Sequence, residues 1–428
     1  MVKYATMAKI TILTYGSRGD VQPMAALGAG LVKAGHEVTL AAPGRFKDLA
    51  ARHGMDFAPL SGDPAALAKA FVDEAGFNPF KTMKIMIEFA LPLAVEVWQQ
   101  LKHACREADM VIHMFMMITS GNIIAGQNRI PEMNANVVPV FFPTREFPMA
   151  GMSFVKIGGL NKFTHQFFNH LFWGITKFAN NFFVRPKTPD LPKAGKWPLR
   201  KGAAQVMPVI YGISPSVVGK PKDWPEQAHL TGYWFFEQEA GWQPSEELKA
   251  FLEAGPAPVY IGFGSMVTEN HQQIMDTIAA ALEISGQRGI LLRGWAGLGN
   301  SSLPDSILMI EEAQHDWLFP RMAAIVHHGG AGTTAASLRS GVPSIVVPFI
   351  ADQPFWGDRV YRLGVGPRPI PVRKLTAESL AAAIRHSLQD QGMRAAAAEL
   401  GKKIQAEDGI GIAVKLIEDH LKRNAPDN

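Results

Sequence analysis

Five short stretches gather residues whose types and spacing could do chemistry. Residues 327–334 read "HHGGAGTT", two imidazoles followed by a turn almost bare of side chains. "AAIVHH" before it has the apolar character of a strand and "TTAASLRSG" after it that of a helix, so the turn's amides lie at a helix start. Such a start carries roughly half a positive charge and free N–H groups, which suit a phosphate. His327, at the strand end, could donate one more hydrogen bond to a diphosphate oxygen. Alternatively, Thr333 caps the helix and the glycines only turn the chain. "GFGS" puts Ser265 where a hydroxyl could reach the same oxygens or serve as an ordinary turn serine. In "QHDWLFP" the indole of Trp317 offers a flat face to a nucleobase, or packs as a plain aromatic. "ADQPFWG" sets Asp352 beside Gln353, a carboxylate and an amide that suit the vicinal hydroxyls of a sugar, or an N-cap ahead of Pro354. In "GSRGDVQP" Asp20 follows the first strand, either as a cap or as a general base taking a proton from an attacking hydroxyl. A helix start and Arg18 both favour its ionised form and lower its basicity.

The elements that must carry these groups alternate between strand and helix. "AKITILTYG", a helical run ending at Gly35, and "EVTLAAP" form a β-α-β unit, with "DMVIHM" and "NVVPVF" as later strands. A Pro- and Trp-rich connection spans Ser214–Pro256. A second alternation follows, from "PVYIGFG" through "ILMIEE" to "SIVVPF". The fold expected is therefore α/β, two doubly wound parallel sheets facing one another. Segment 154–185 interleaves large aromatics with Lys, His and Asn at helical spacing. It either packs as a helical pair on its own domain or forms a basic amphipathic rim around a lipidic acceptor or against a membrane.

The bulk properties narrow the class. A chain of 428 residues, 47% hydrophobic and 19% charged, can bury more than one core. Its net charge of +4 is dispersed, with no Lys/Arg block of the nucleic-acid type, so no nucleic-acid partner is expected. The single cysteine, Cys105, reads as a small core residue. The N-terminus lacks an apolar leader and no stretch is long enough to span a bilayer, so a cytoplasmic protein, at most peripheral at the membrane, is expected. One competing ligand stands: Gly330-x-Gly332-x-x-Ala335 with Asp352 about twenty residues on loosely fits the dinucleotide fingerprint of an NAD-dependent oxidoreductase.

Seven strings in one order go further: "GSRGDVQPMAALGAGLVKAGHEVTLAAP", "PTREFP", "DWPEQAHLTGYWF", "PVYIGFGSM", "GILLRGWAGL", the stretch from "HDWLFP" through "HHGGAGTT" to "VYRLGVGP", and "KLTAESLAAAI". Together they resemble the sterol 3-beta-glucosyltransferase group of the UDP-glycosyltransferase superfamily. The resemblance implies a GT-B fold: an acceptor domain over 1–225, a UDP-sugar domain over 226–410, and a helix over 411–428 that crosses back. It implies inverting transfer from a UDP-sugar, UDP-glucose being the expected donor, to a hydrophobic hydroxyl-bearing acceptor, with no metal and no cofactor. Antibiotic and rhamnolipid transferases share the "G-S-x-G-D" and "H-x-G-G-A-G-T" patterns, so a dTDP-sugar transferase is the alternative. Carried over by position, Asp20 matches the acceptor-activating base. Ser17, Ser265, His315, Trp317, His327, Gly329, Gly330, Gly332, Thr333, Thr334, Asp352 and Gln353 match the donor site.

Overall fold

The computed structural model describes residues 7–63, 88, 91–152, 159–200, 207–236, 242–264, 271–293, 303–312 and 314–424. In the first half β1 (Lys9–Leu13), α1 (Arg18–Lys33), β2 (Glu37–Pro43), α2 (Lys47–Arg52) and β3 (Asp56–Leu60) form the expected opening units. They are followed by α3 (Leu91–Ala104), β4 (Met110–His113), α4 (Ile118–Asn128), β5 (Glu132–Asn136), α5 (Asn161–Phe178), β6 (Val209–Tyr211) and β7 (Ala228–Leu230). The sheet is parallel, ordered β3-β2-β1-β4-β5-β6-β7. Ile10 pairs with Val38 on one side and Met110 on the other. Strands covered by helices on both faces become continuous apolar runs, which is why Ile10, Ile12, Leu13, Val111 and Ile112 are all buried. Gly35, at φ +95°, lets the chain leave α1 in the left-handed conformation that ends a helix.

The second half contains α6 (Glu246–Glu253), β8 (Val259–Gly262), α7 (His271–Ser285), β9 (Gly289–Leu292), β10 (Ile307–Ile310), α8 (His315–Leu318) and β11 (Ala324–His327). It continues with α9 (Ala331–Ser340), β12 (Ser344–Val346), α10 (Gln353–Arg362), α11 (Ala377–Gln389), α12 (Gln391–Gln405) and α13 (Gly409–Arg423). These strands form a second parallel sheet, β10-β9-β8-β11-β12. In both sheets the direction of winding reverses beside the first strand, between β1 and β4 and between β8 and β11. Ligand crevices of doubly wound folds open beyond the strand ends at such points. Residues 14–20 leave β1 there and residues 328–330 leave β11.

The domain limits differ in detail from those expected. β7 adds to the first sheet beside β6, so that sheet continues past residue 225 to Leu230. The last helix begins at Gly409 and lies against α1, where a side chain on Gly30 would overlap Ile410. His420 Nε2 stands 3.1 Å from the Glu132 carbonyl oxygen, fastening α13 to the first half, and His36 Nε2 approaches Glu418 at 3.5 Å without a hydrogen bond. The two crossing strands of chain touch at Gly232 (φ +102°) and Gly409, where a Cβ on either would collide with the other backbone. Elsewhere the halves meet through an apolar seam, Phe147 against Phe355 at 5.4 Å between ring centres. Cys105 is buried and burial pushes its thiol up to about 12, as befits a core residue. Segment 154–185 is not a helical pair: its described part is one helix, α5, continuing as a π-turn over Ala179–Val184. Among the described residues no helix is long and apolar enough to cross a membrane.

Candidate active site

The glycine-rich octet becomes the last residue of β11, a turn, and the first turn of α9. Gly330, not Thr333, is the N-cap, and no side chain caps the helix. Thr334 N–H is the first to find a helical partner, the Gly330 carbonyl at 2.9 Å. The amides of Gly330, Ala331, Gly332 and Thr333 are therefore the four that an α-helix leaves without intrahelical acceptors. The expected cluster from Gly329 to Thr334 shrinks at both ends, because Gly329 N–H donates to His327 Nδ1 at 3.1 Å. That bond fixes the ring's tautomer: Nδ1 accepts, so the proton sits on Nε2, which is buried without a partner. Thr334 Oγ1 is likewise buried and unpartnered. Burial, with His328 and His315 nearby, pushes His327 down to about 3, so the ring is neutral near pH 7.

The glycines have identifiable steric work. Gly329 has φ +88° and passes so close to the Gln353 backbone and Val346 that no side chain fits. Gly330 makes room for the imidazole of His328, which would overlap any Cβ there, and a Cβ on Gly264 (φ +63°) would also press on that ring. His328 is the residue that the sequence reading passed over. Burial pushes it down to about 4, against the effect of its bond to the Gly262 backbone. The signal was present as an imidazole flanked in sequence and in space by glycines.

Across the crevice, α1 starts at Ser17 as N-cap with Asp20 in the third helical position, so Asp20 is not itself the cap. Its Oδ2 accepts from Ser17 N–H at 2.8 Å and Ser17 Oγ at 2.9 Å. Ser17, expected among the donor contacts, thus orients the carboxylate. Gly16 is obligatory here, because a Cβ would strike that carboxylate. Contrary to the expected lowering by the helix start, burial raises the Asp20 pKa and outweighs the two Ser17 hydrogen bonds. Desolvation wins because it penalises the charged form more than the two hydrogen bonds favour it.

The two sides reach each other. α1 and α9 are in contact. Burial, then the Arg18 charge, then His328 push His315 down to about 4; its ring stacks on Phe319 at 4.2 Å. Burial raises Asp352 to about 6, the Asp20 carboxylate adding to the rise. Asp352 follows Ala351, a residue held at φ +57°, a conformation costly for alanine that fixes where the next side chain leaves the backbone. It is positioned as the N-cap of α10 without a side-chain cap, its Oδ2 accepting instead from Trp356 Nε1 at 2.7 Å. Gln353 uses its amide oxygen on its own loop, accepting from Phe349 and Ile350 N–H at 2.7 and 3.1 Å. Any sugar contact from Gln353 must come from its amide nitrogen.

Trp317 does not join this cluster. Arg321 lies over its ring at 4.2 Å, Trp242 leans against it at 5.5 Å, and it lines a surface recess with Lys249, Leu252 and Ala257. Ser265 lies outside the described residues. Among those residues no group of three or more His, Cys, Asp or Glu is arranged to hold a metal ion.

Comparison with known proteins agrees with this geometry. Residues 10–148 match the glycosyltransferase family 28 N-terminal domain, and residues 290–418 the C-terminal domain of erythromycin biosynthesis protein CIII-like proteins. The chain is 36% identical to a sterol 3-beta-glucosyltransferase of Arabidopsis thaliana, over 98% of its own length and 69% of the relative's. It is 37% identical to the O-mycaminosyltylonolide 6-deoxyallosyltransferase of Streptomyces fradiae, over 96% and 97% respectively. The crystal structure of the calicheamicin glycosyltransferase CalG4 superposes with a TM-score of 0.69, covering 98% of this chain and 100% of that one at 16% identity. The nicotinamide alternative falls, since the family models and the relatives that match are glycosyltransferases. Two facing parallel sheets, an acidic turn on one and a bare amide cluster on the other, together with these relatives, place the chain in the UDP-glycosyltransferase superfamily: it is a glycosyltransferase of GT-B fold in the sterol 3-beta-glucosyltransferase-like group.

Proposed function

We propose that the protein moves glucose from UDP-glucose to a hydroxyl of a hydrophobic, sterol-like acceptor, with inversion at the anomeric carbon and without a metal ion. The observation that carries this reading is the contact between α1, which bears Asp20 in its first turn, and α9, which opens with the Gly330–Thr333 amides, with the Asp20 charge felt at Asp352 beside that turn. The acceptor oxygen forms a bond to the anomeric carbon while the bond to the UDP oxygen breaks. The proton goes to Asp20 and the electron pair leaves with UDP. Four aimed N–H groups and the positive end of α9 stabilise the departing diphosphate, a role a cation would otherwise fill; preorganised donors of this kind are worth about 3–4 kcal/mol each where measured. The neutral His327, through Nε2–H, adds a donor without the cost of burying a charge. Asp352 and Gln353 lie beside the same turn and suit the sugar hydroxyls.

A second reading draws on the Streptomyces fradiae relative, similar over nearly the whole of both chains: a dTDP-deoxysugar as donor to a macrocyclic acceptor. Incubation with UDP-glucose or a dTDP-deoxysugar, a sterol and macrolide panel, and EDTA, read by mass spectrometry, decides between them. The proposal expects one hexose added to a sterol-like acceptor, undiminished by EDTA. A deoxyhexose increment only on macrolides supports the second reading, and loss of transfer with EDTA contradicts metal independence.

A further inference from the structure

Helix α5 carries apolar residues on two faces, Phe168 and Phe172 packing inward against the core around Phe141. Its buried residues are polar, Thr164, His165 and Asn169, and each is tied inward. Thr164 Oγ1 accepts from Met149 N–H at 2.8 Å, Asn169 Nδ2 donates to the Phe141 carbonyl at 2.7 Å, and His165 Nε2 stands 3.1 Å from the Phe147 carbonyl. Facing solvent instead are Phe163, Phe167, Leu171, Ile175, Phe178 and, in the π-turn, Phe182, between 47% and 67% exposed. Their spacing of three and four residues makes one straight stripe, with Phe163 stacked on Phe167 and Phe178 tilted on Phe182. The helix cannot roll to hide this stripe without breaking its inward bonds, so the exposure is built in. From Phe163 to Phe182 the stripe spans about 30 Å, far more than scattered surface apolar residues.

The charge around the stripe says what covers it. Residues 147–222 hold eleven Lys and Arg against a single acid, Asp190, although the whole chain carries only +4. Asp190 is itself paired with Lys102, and of the eleven cations Lys162 lies 4.0 Å from Asp223 just beyond this stretch. Lys177, Lys187, Lys193, Lys196 and Arg200 are all exposed. Two copies meeting through this face would bring like charges together, whereas an anionic lipid surface offers both an apolar layer for the rings and phosphates for the cations. We propose that the outer face of α5 docks flat on an anionic bilayer surface. This stands whichever sugar the enzyme moves.

Sedimentation of the full chain with vesicles of phosphatidylcholine, alone or mixed with phosphatidylglycerol, tests it. The expected result is binding to the mixed vesicles, and at least about tenfold weaker binding by the Phe167→Glu/Leu171→Glu/Ile175→Glu variant with an unchanged melting temperature. Should that variant fold poorly, Phe167→Trp provides the readout, its emission shifting to the blue only with phosphatidylglycerol present. Parent protein left in the supernatant, equal sedimentation of the triple variant, an unshifted Phe167→Trp spectrum, or a parent dimer that the triple variant dissolves would each overturn the proposal.

Discussion

Asp20 shows how much a single side chain owes to surroundings that sequence does not display. Its place after the first strand was legible in "GSRGD"; its third position in the helix, its tie to Ser17 and its burial were not. Burial reverses the sign of the expected pKa shift, and the consequence can be measured. A carboxyl whose folded pKa lies above its unfolded value binds its proton more tightly when folded, so it contributes stability at low pH that is lost as pH climbs through that pKa. Asp20→Asn keeps an oxygen for Ser17 but not the negative charge, and should melt at or above the parent temperature at pH 7–8. Transfer should fall by about 10²–10⁴-fold, and the acid limb of the rate profile, which reports loss of the ionised base as pH drops, should disappear. Near-normal turnover by this variant would remove Asp20 from the chemistry.

At the scale of elements, the strand-turn-helix at 327–340 was readable because glycine and β-branched residues punctuate it so sharply. The sequence could not show which amides stay open. That depends on the Gly329 bond to His327 and on the closing of the first helical turn at Thr334. The neighbours of Trp317 were hidden for a related reason: Trp242, which leans on its ring, arrives from a distant segment that no local pattern announces. The two glycines flanking Ala331 differ in kind. A Cβ on Gly330 meets the His328 ring, whereas at Gly332 nothing lies within 4 Å. Gly330→Ala should lower the melting temperature and weaken UDP binding at least about tenfold, because the new methyl overlaps the His328 ring and must shift it. Gly332→Ala should melt no lower than the parent and gain up to about 0.5 kcal/mol from lost unfolded-chain freedom. Calorimetry of both variants, with and without UDP, checks the contrast.

For the whole molecule, the two-sheet plan followed directly from alternating strand and helix patterns, while the limits between the halves did not. β7 joins the first sheet and α13 returns to α1 through packing of residues far apart in sequence, for which local patterns carry no signal. The return leaves two crossings side by side, at Gly232 and Gly409, with Glu407 Oε1 accepting from Ser214 and Ser216 at 2.6 and 3.0 Å. Two sheets hinged there, and meeting along the Phe147–Phe355 seam, hold the acidic turn opposite the amide cluster. That opposition is the central claim, and a crystal structure of the protein with UDP tests it most directly. The account predicts diphosphate oxygens within hydrogen-bond distance of the Gly330–Thr333 amides, on the side facing Asp20. A diphosphate seated elsewhere, with those amides empty at saturating UDP, would contradict it.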